Sequence, residues 1–270
     1  NELGVPTLSG EHSAVIVAAE QSEIAIDHAV FGANSDDVIL VDQSQAAIDH
    51  SSFINGLSGA AVVATGASTI TVSNTEINSN LMAATALARA PISLFGGSTA
   101  TIADCSFTGN VVSDGSLSEP TAGAIFATNA GTSVTVDVAA FSSNHGTALT
   151  AGAGSIYLSD AAALTASGCT FAGNTGSSPV SAGAVLVESA SVMLHSTTFT
   201  NNRAASHPVA GTSAGGGAIY ATQSAVRCSN CTAEDNVARD IGEAQRSRPT
   251  YSDAFFVYEP TDVKFRDTVY

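Results

Sequence analysis

Apolar and polar residues alternate with a period of two along most of this chain, in short runs broken by small residues. Ile70 and Val72, Val134 and Val136, and Val192 and Leu194 are apolar, while Thr69, Thr71, Ser133 and Thr135 lie between them. That period predicts strands with one face in and one face out, and no helical spacing separates them. A second set of short strands has Val15/Val17, Val38/Leu40, Ile125/Ala127, Ile156/Leu158 and Val185/Val187 on its inner face.

The strands belong to a repeat. Phe-x-x-Asn recurs at Phe31 to Asn34, Phe107 to Asn110, Phe141 to Asn144, Phe171 to Asn174 and Phe199 to Asn202. Degenerate copies are Phe53 with Gly56, Ile77 with Asn80, and Ala233 with Asn236. A small-small-apolar element precedes most of them, as in Gly123-Ala124-Ile125, Gly183-Ala184-Val185 and Gly216-Gly217-Ala218-Ile219. From this element to the Phe is nearly constant, 16, 15 and 14 positions from Ile125, Ile156 and Val185, whereas the return from Asn varies from 4 to 17. A constant segment alternating with a variable one describes a rigid wall with loops let out at one corner.

Strands this short cannot bury a face alone, but stacked as coils they share a continuous core. The expected architecture is an all-β, right-handed parallel β-helix of about nine coils. It forms a single domain over 1–270, a rod roughly 43 Å long at about 4.8 Å per coil. The Phe positions should stack as an interior ladder. The Asn positions should share a corner, where a left-handed backbone is tolerated and stacked amides bond one another. Neither end carries a clear polar cap, so the chain is expected to be a piece of a longer solenoid, and residues 237–252 read as a long inserted loop before the last coil.

The two elements resemble the repeats of the chlamydial polymorphic membrane proteins, with Phe-x-x-Asn intact five times and the full Gly-Gly-Ala-Ile at Gly216 to Ile219, over about residues 14 to 236. The resemblance implies a pectin-lyase-like β-helix displayed outside the cell, often adhesive.

Charge narrows the partners. With 8 Lys+Arg against 24 Asp+Glu, the net charge of −16 disfavours nucleic acid and anionic membrane surfaces. No apolar run approaches the ~20 residues of a membrane-spanning helix. Five of the eight basic residues follow position 236, a local patch read as a solvated loop.

Cys105, Cys169 and Cys231 share one repeat position, two before the Phe or its substitute, and are expected to face the interior. Coils four, six and eight lie ~10 Å apart, too far for bridges among these three; Cys228 and Cys231 are either small buried residues or a local disulfide.

Asp27-His28 and Asp49-His50 recur at equivalent positions, with Asp104 and Asp137 on later coils. Paired carboxylates on adjacent coils suit acid-base work on a polysaccharide, but an acidic wall suits anionic polysaccharide poorly, and solvated turn residues are the expected role. No catalytic residue, metal site or cofactor is assigned. Thr69/Thr71, Thr99/Thr101 and Ser133/Thr135 form an outward ladder, a pattern seen in ice-binding solenoids and also the ordinary choice for exposed strands.

One outward row is anomalous. It is read as Ile16, Ile39, Val62, Ser93, Phe126, Tyr157, Leu186, Tyr220 and Phe256, apolar in eight of nine coils. Either the corner loops 111–122 and 203–215 fold back over it, or it docks to a partner protein or a like chain, or its rings stack on glycan. The expectation adopted is docking through Phe126, Tyr157, Leu186, Tyr220 and Phe256 by a secreted or cell-surface, adhesin-like structural protein. A carbohydrate-active enzyme and a glycan or ice binder are the alternatives.

Overall fold

The computed structural model describes residues 14–34, 37–56, 59–85, 88–113, 119–206, 214–240, 255–258 and 262–266. Among them, three parallel sheets form the wall of a β-helix. Face A stacks nine strands from Ala14–Ala18 to Phe255–Tyr258, face B nine from Glu23–Asp27 to Asp262–Arg266, and face C eight from Val30–Gly32 to Thr232–Glu234. All pairings are parallel and in register from coil to coil, so equivalent repeat positions lie directly above one another.

The interior is the inward half of each alternation. Ile70, Val72, Ile102, Val134, Val136, Leu164 and Leu194 from face B meet Ile92, Ile125, Ile156 and Val185 from face A. The Phe ladder closes the third side: Phe107, Phe141, Phe171 and Phe199 stack with centroids 4.6 to 4.9 Å apart and planes within 10°. Phe31 and Phe53 form a separate pair at 4.8 Å, with Ile77 interposed between the two runs. Each fully buried ring contributes about 1.5–3 kcal/mol by leaving water.

The face B to face C corner is a single left-handed residue, His28, His50, Asn74, Asp104, Val138, Gly168, Ser196 or Asn230, with φ between 43° and 62°. After face C comes a second left-handed residue, and here the sequence expectation is corrected by one position. Positive φ falls on Ala33, Asn55, Ser79, Gly109, Ser143, Gly173, Asn201 and Asp235, each immediately before the ladder Asn or its equivalent.

The Asn itself serves the hydrogen bonds. Asn80, Asn110, Asn144, Asn174, Asn202 and Asn236 are buried. Asn144 shows the pattern: its Nδ2 donates to Asn174 Oδ1 and to the Phe107 carbonyl, while its Oδ1 accepts from the Asn110 amide side chain and backbone N–H. From Asn80 to Asn236 each side chain thus satisfies buried backbone groups of the preceding coil.

Loops leave after this Asn, as the variable spacing implied, but they are ordered. They build a six-stranded sheet from Leu81–Ala83 to Val237–Asp240 and a four-stranded sheet from Thr121–Ala122 to Ala214–Gly216. The start of the expected 237–252 loop is therefore strand, paired with Arg203–Ser206; residues 241–252 lie outside the described set. Where these extra sheets return to face A the backbones nearly touch. A Cβ on Gly154 would sit 1.8 Å from the Gly183 carbonyl, and one on Gly183 the same distance from Gly217, so the small-small-apolar element is a close-approach requirement.

Candidate functional site

The apolar outward row is real, but its register and its exposure both differ from the sequence reading. Strand pairing aligns Val17, Leu40, Val63, Ser93, Phe126, Tyr157, Leu186, Tyr220 and Phe256. Ile16, Ile39 and Val62 sit one residue earlier and pack with the interior. In the first three coils Val, Ile and Leu occupy both faces of the strand, so alternation could not distinguish the registers, and a one-residue slip exchanges the faces.

The row does not meet solvent. Phe126, Tyr157, Leu186 and Tyr220 are 1%, 2%, 0% and 6% exposed. They pack under Ala122, Ala151, Ala153 and Ala182 of the four-stranded loop sheet, forming a second core outside face A. Leu40 and Val63 do the same under Met82, Ala88 and Val112. The expected docking stripe is thus corrected to an internal interface between the rod and its own loops. Phe256 continues the row through its backbone pairing with Tyr220; its side chain lies outside the described set.

The charged and aromatic groups of this second core interact with one another, while the buried hydroxyls of Thr121 and Ser181 in the loop sheet lack a hydrogen-bond partner. Phe126 stacks on Tyr157 at 5.1 Å, and the Arg89 guanidinium lies 5.2 Å from the Phe126 centroid while bonding Glu119 at 2.8 Å. The Tyr157 hydroxyl donates to Glu188, and burial, reinforced by that carboxylate, pushes its pKa upward. The signal for the roof was the small, apolar character of Ala151-Gly152-Ala153 and Ala182, side chains that let a second sheet lie close.

Away from the roofed face A, face B presents an exposed row that repeats from coil to coil. Thr71, Thr101, Thr135 and Thr165 align in register and are exposed, beside the row Thr69, Thr99, Ser133 and Ala163. Around the corner runs an open groove of about 510 Å³ lined by Asn74, Glu76, Asp104, Ser106, Val138 and Thr170. Asp137 is exposed two coils below His195 on the same row.

At the N-terminal end of that corner the two Asp-His pairs meet. Asp27 and Asp49 are register partners, and the His28 and His50 rings stack at 4.9 Å with planes 8° apart. Asp49 Oδ1 accepts from Asn74 Nδ2, Ser73 Oγ and the His50 backbone N–H. The bonds from Asn74 and Ser73 hold its carboxyl at about 2, below the usual carboxylate range. In the six-stranded loop sheet, His145 is half-buried against Thr147 Oγ1 at 2.8 Å, and burial lowers its pKa.

The cysteines resolve into two roles. Cys228 and Cys231 form a disulfide, the second of the two sequence readings. Cys105 and Cys169 are free and buried, and their thiols donate to the carbonyls of Ala103 and Ser167, two residues back. Ser51, Thr75 and Thr197 make the same bond at the same corner, so these cysteines substitute for hydroxyls. Burial raises both thiols, Cys105 to about 11.

This geometry defines a parallel β-solenoid with a second layer on one face. More narrowly, the chain belongs to the right-handed β-helix region family, whose model matches residues 7–155 and 37–259. No curated protein matches the chain. Among the described residues no helix is long and apolar enough to cross a membrane.

Proposed function

We propose that the chain is a structural, adhesin-like β-helix, secreted or displayed at the cell surface, that meets a protein or glycan partner through face B and the adjoining corner groove. The observation that carries the reading is the partition of surfaces. The apolar row is occupied by the chain's own loops, and the periodic outer surface is the aligned Thr71, Thr101, Thr135 and Thr165. Aligned polar side chains at about 4.8 Å spacing offer a repeating lattice of donors and acceptors to a repeating partner, glycan or strand-rich protein. The Cys228–Cys231 disulfide supports an oxidising, extracytoplasmic compartment, and the repeat resemblance supports adhesion.

The test is binding of the purified chain to a glycan array and to a second copy of itself, with Thr101→Lys and Thr135→Lys as variants. These positions are surface substitutions with little expected effect on stability. At least tenfold weaker binding at an unchanged melting temperature is expected. Binding that ignores both substitutions would remove face B from the reading.

A carbohydrate-active enzyme is favoured by one observation, the register pairing of Asp27 and Asp49 on adjacent coils. Acid-base cleavage needs one protonated carboxyl, and Asp49, held at about 2, suits only the ionised partner's role. Release of reducing ends from a neutral polysaccharide, lost in Asp27→Asn and Asp49→Asn, would establish the enzyme instead.

A further inference from the structure

The Asp-His corner of the first two coils gathers donors of a kind that turn residues do not require. Asp27, His28 and His50 each offer a ligand atom, and those atoms lie within 4.8 Å of one another. The arrangement follows from the repeat. Asp27 ends a face B strand, His28 is the left-handed corner residue at φ 52°, and the next coil repeats both with Asp49 and His50 at φ 43°. In-register stacking brings the second imidazole over the first, and all three side chains are exposed.

We propose that Asp27, His28 and His50 bind a divalent transition metal ion of the zinc class, with the Asp49 carboxylate beside them. Tetrahedral zinc with bonds of about 2.0–2.1 Å places its donors about 3.3 Å apart. Asp27 Oδ1 is 2.7 Å from His28 Nδ1 and 3.8 Å from His50 Nδ1, distances that straddle this value. A shift of about half an ångström in solvent-exposed side chains opens one and closes the other. Water completes the coordination.

Asp49 makes the site more than a chance meeting. Its Oδ1 is fixed to Ser73 Oγ at 2.8 Å and Asn74 Nδ2 at 3.0 Å on the third coil, and its Oδ2 lies 3.0 Å from His50 Nδ1. That nitrogen is also the one the metal takes, so the ion displaces this contact on binding and leaves the fixed Asp49 carboxylate beside it as a further oxygen donor. Two imidazoles and a carboxylate suit zinc, nickel or copper, whereas calcium takes six to eight oxygens.

The experiment is calorimetric titration of the full chain with zinc chloride, repeated with His28→Ala, His50→Ala, the double variant, Asp27→Asn and Asp49→Asn. His195→Ala is the control, an exposed corner histidine on Ser229 Oγ remote from the cluster. Cobalt substitution adds a visible absorption readout of imidazole coordination. At least tenfold weaker binding is expected for each histidine variant and for Asp27→Asn, a smaller loss for Asp49→Asn, and none for His195→Ala. A chain that takes up no zinc, or a double variant that binds as tightly as the parent, overturns the site. Melting temperatures of the apo variants, expected to match the parent, separate lost ligands from lost fold. The polysaccharide assay above reads a different property, so the two proposals fail independently.

Discussion

At the residue scale, one side chain per turn satisfies the corner. Asn144 makes four hydrogen bonds to the coils on either side, and its replacement by Ala strands the Phe107 carbonyl and the Asn110 backbone N–H in a buried site. Asn144→Ala should therefore cost about 3–5 kcal/mol, read by chemical denaturation, because each orphaned buried group costs about 1–3 kcal/mol. Asp49 predicts a pH dependence of definite sign. Its folded pKa, about 2, lies below the unfolded value, so the folded state binds fewer protons and stability rises with pH. That contribution is complete above about pH 4 and is lost as pH falls towards 2. Melting temperature followed from pH 5 to pH 2 should fall less in Asp49→Asn than in the parent. The ladder Asn was legible from its recurrence alone. Its conformation was not, because the residue before it, as varied as Gly109, Ser143 and Asn201, takes the left-handed turn.

At the scale of the elements, alternation located the strands and named their inner residues wherever a polar partner marked the outer face. Face B is the clear case, with Thr71, Thr101 and Thr135 exposed between buried Ile70, Val72, Ile102 and Val136. Face A is the hard one, since both of its faces are buried and its strands read as continuous apolar runs. The register slip at Ile16, Ile39 and Val62 arose there. Burial on both faces also changes what the aromatic row does. Phe126→Ala should destabilise by about 3–5 kcal/mol, as removal of a core ring does, with partner binding unchanged once the protein is folded. An exposed docking residue would show the reverse, and equilibrium unfolding alongside a binding assay distinguishes them.

At the scale of the molecule, the rod and its roof divide the surface into a closed side and an open side. The longer returns, 11 to 17 positions between Asn80 and Ile219, become sheets on one side because each emerges from the same Asn corner and meets its neighbour about one coil spacing away. On the open side the repeat leaves Thr rows, a groove and the Asp-His corner, which is why both proposals fall there. Two Asp-His dipeptides 22 residues apart were visible in the chain. Their meeting depended on a coil of 22 residues, and the longer coils that follow carry no second such stack among the described residues.

The chain's own pattern of apolar positions, Phe-x-x-Asn and small-small-apolar elements determined a stacked parallel β-helix, its interior ladder and the corner from which loops depart. These are local and periodic properties, and a repeat multiplies each of them. Tertiary structure alone decided what covered face A and which imidazoles stacked. Those outcomes depend on where segments far apart in sequence come to rest, and the same Phe126 or Tyr157 side chain is a docking surface or a core according to whether a neighbouring strand lies over it.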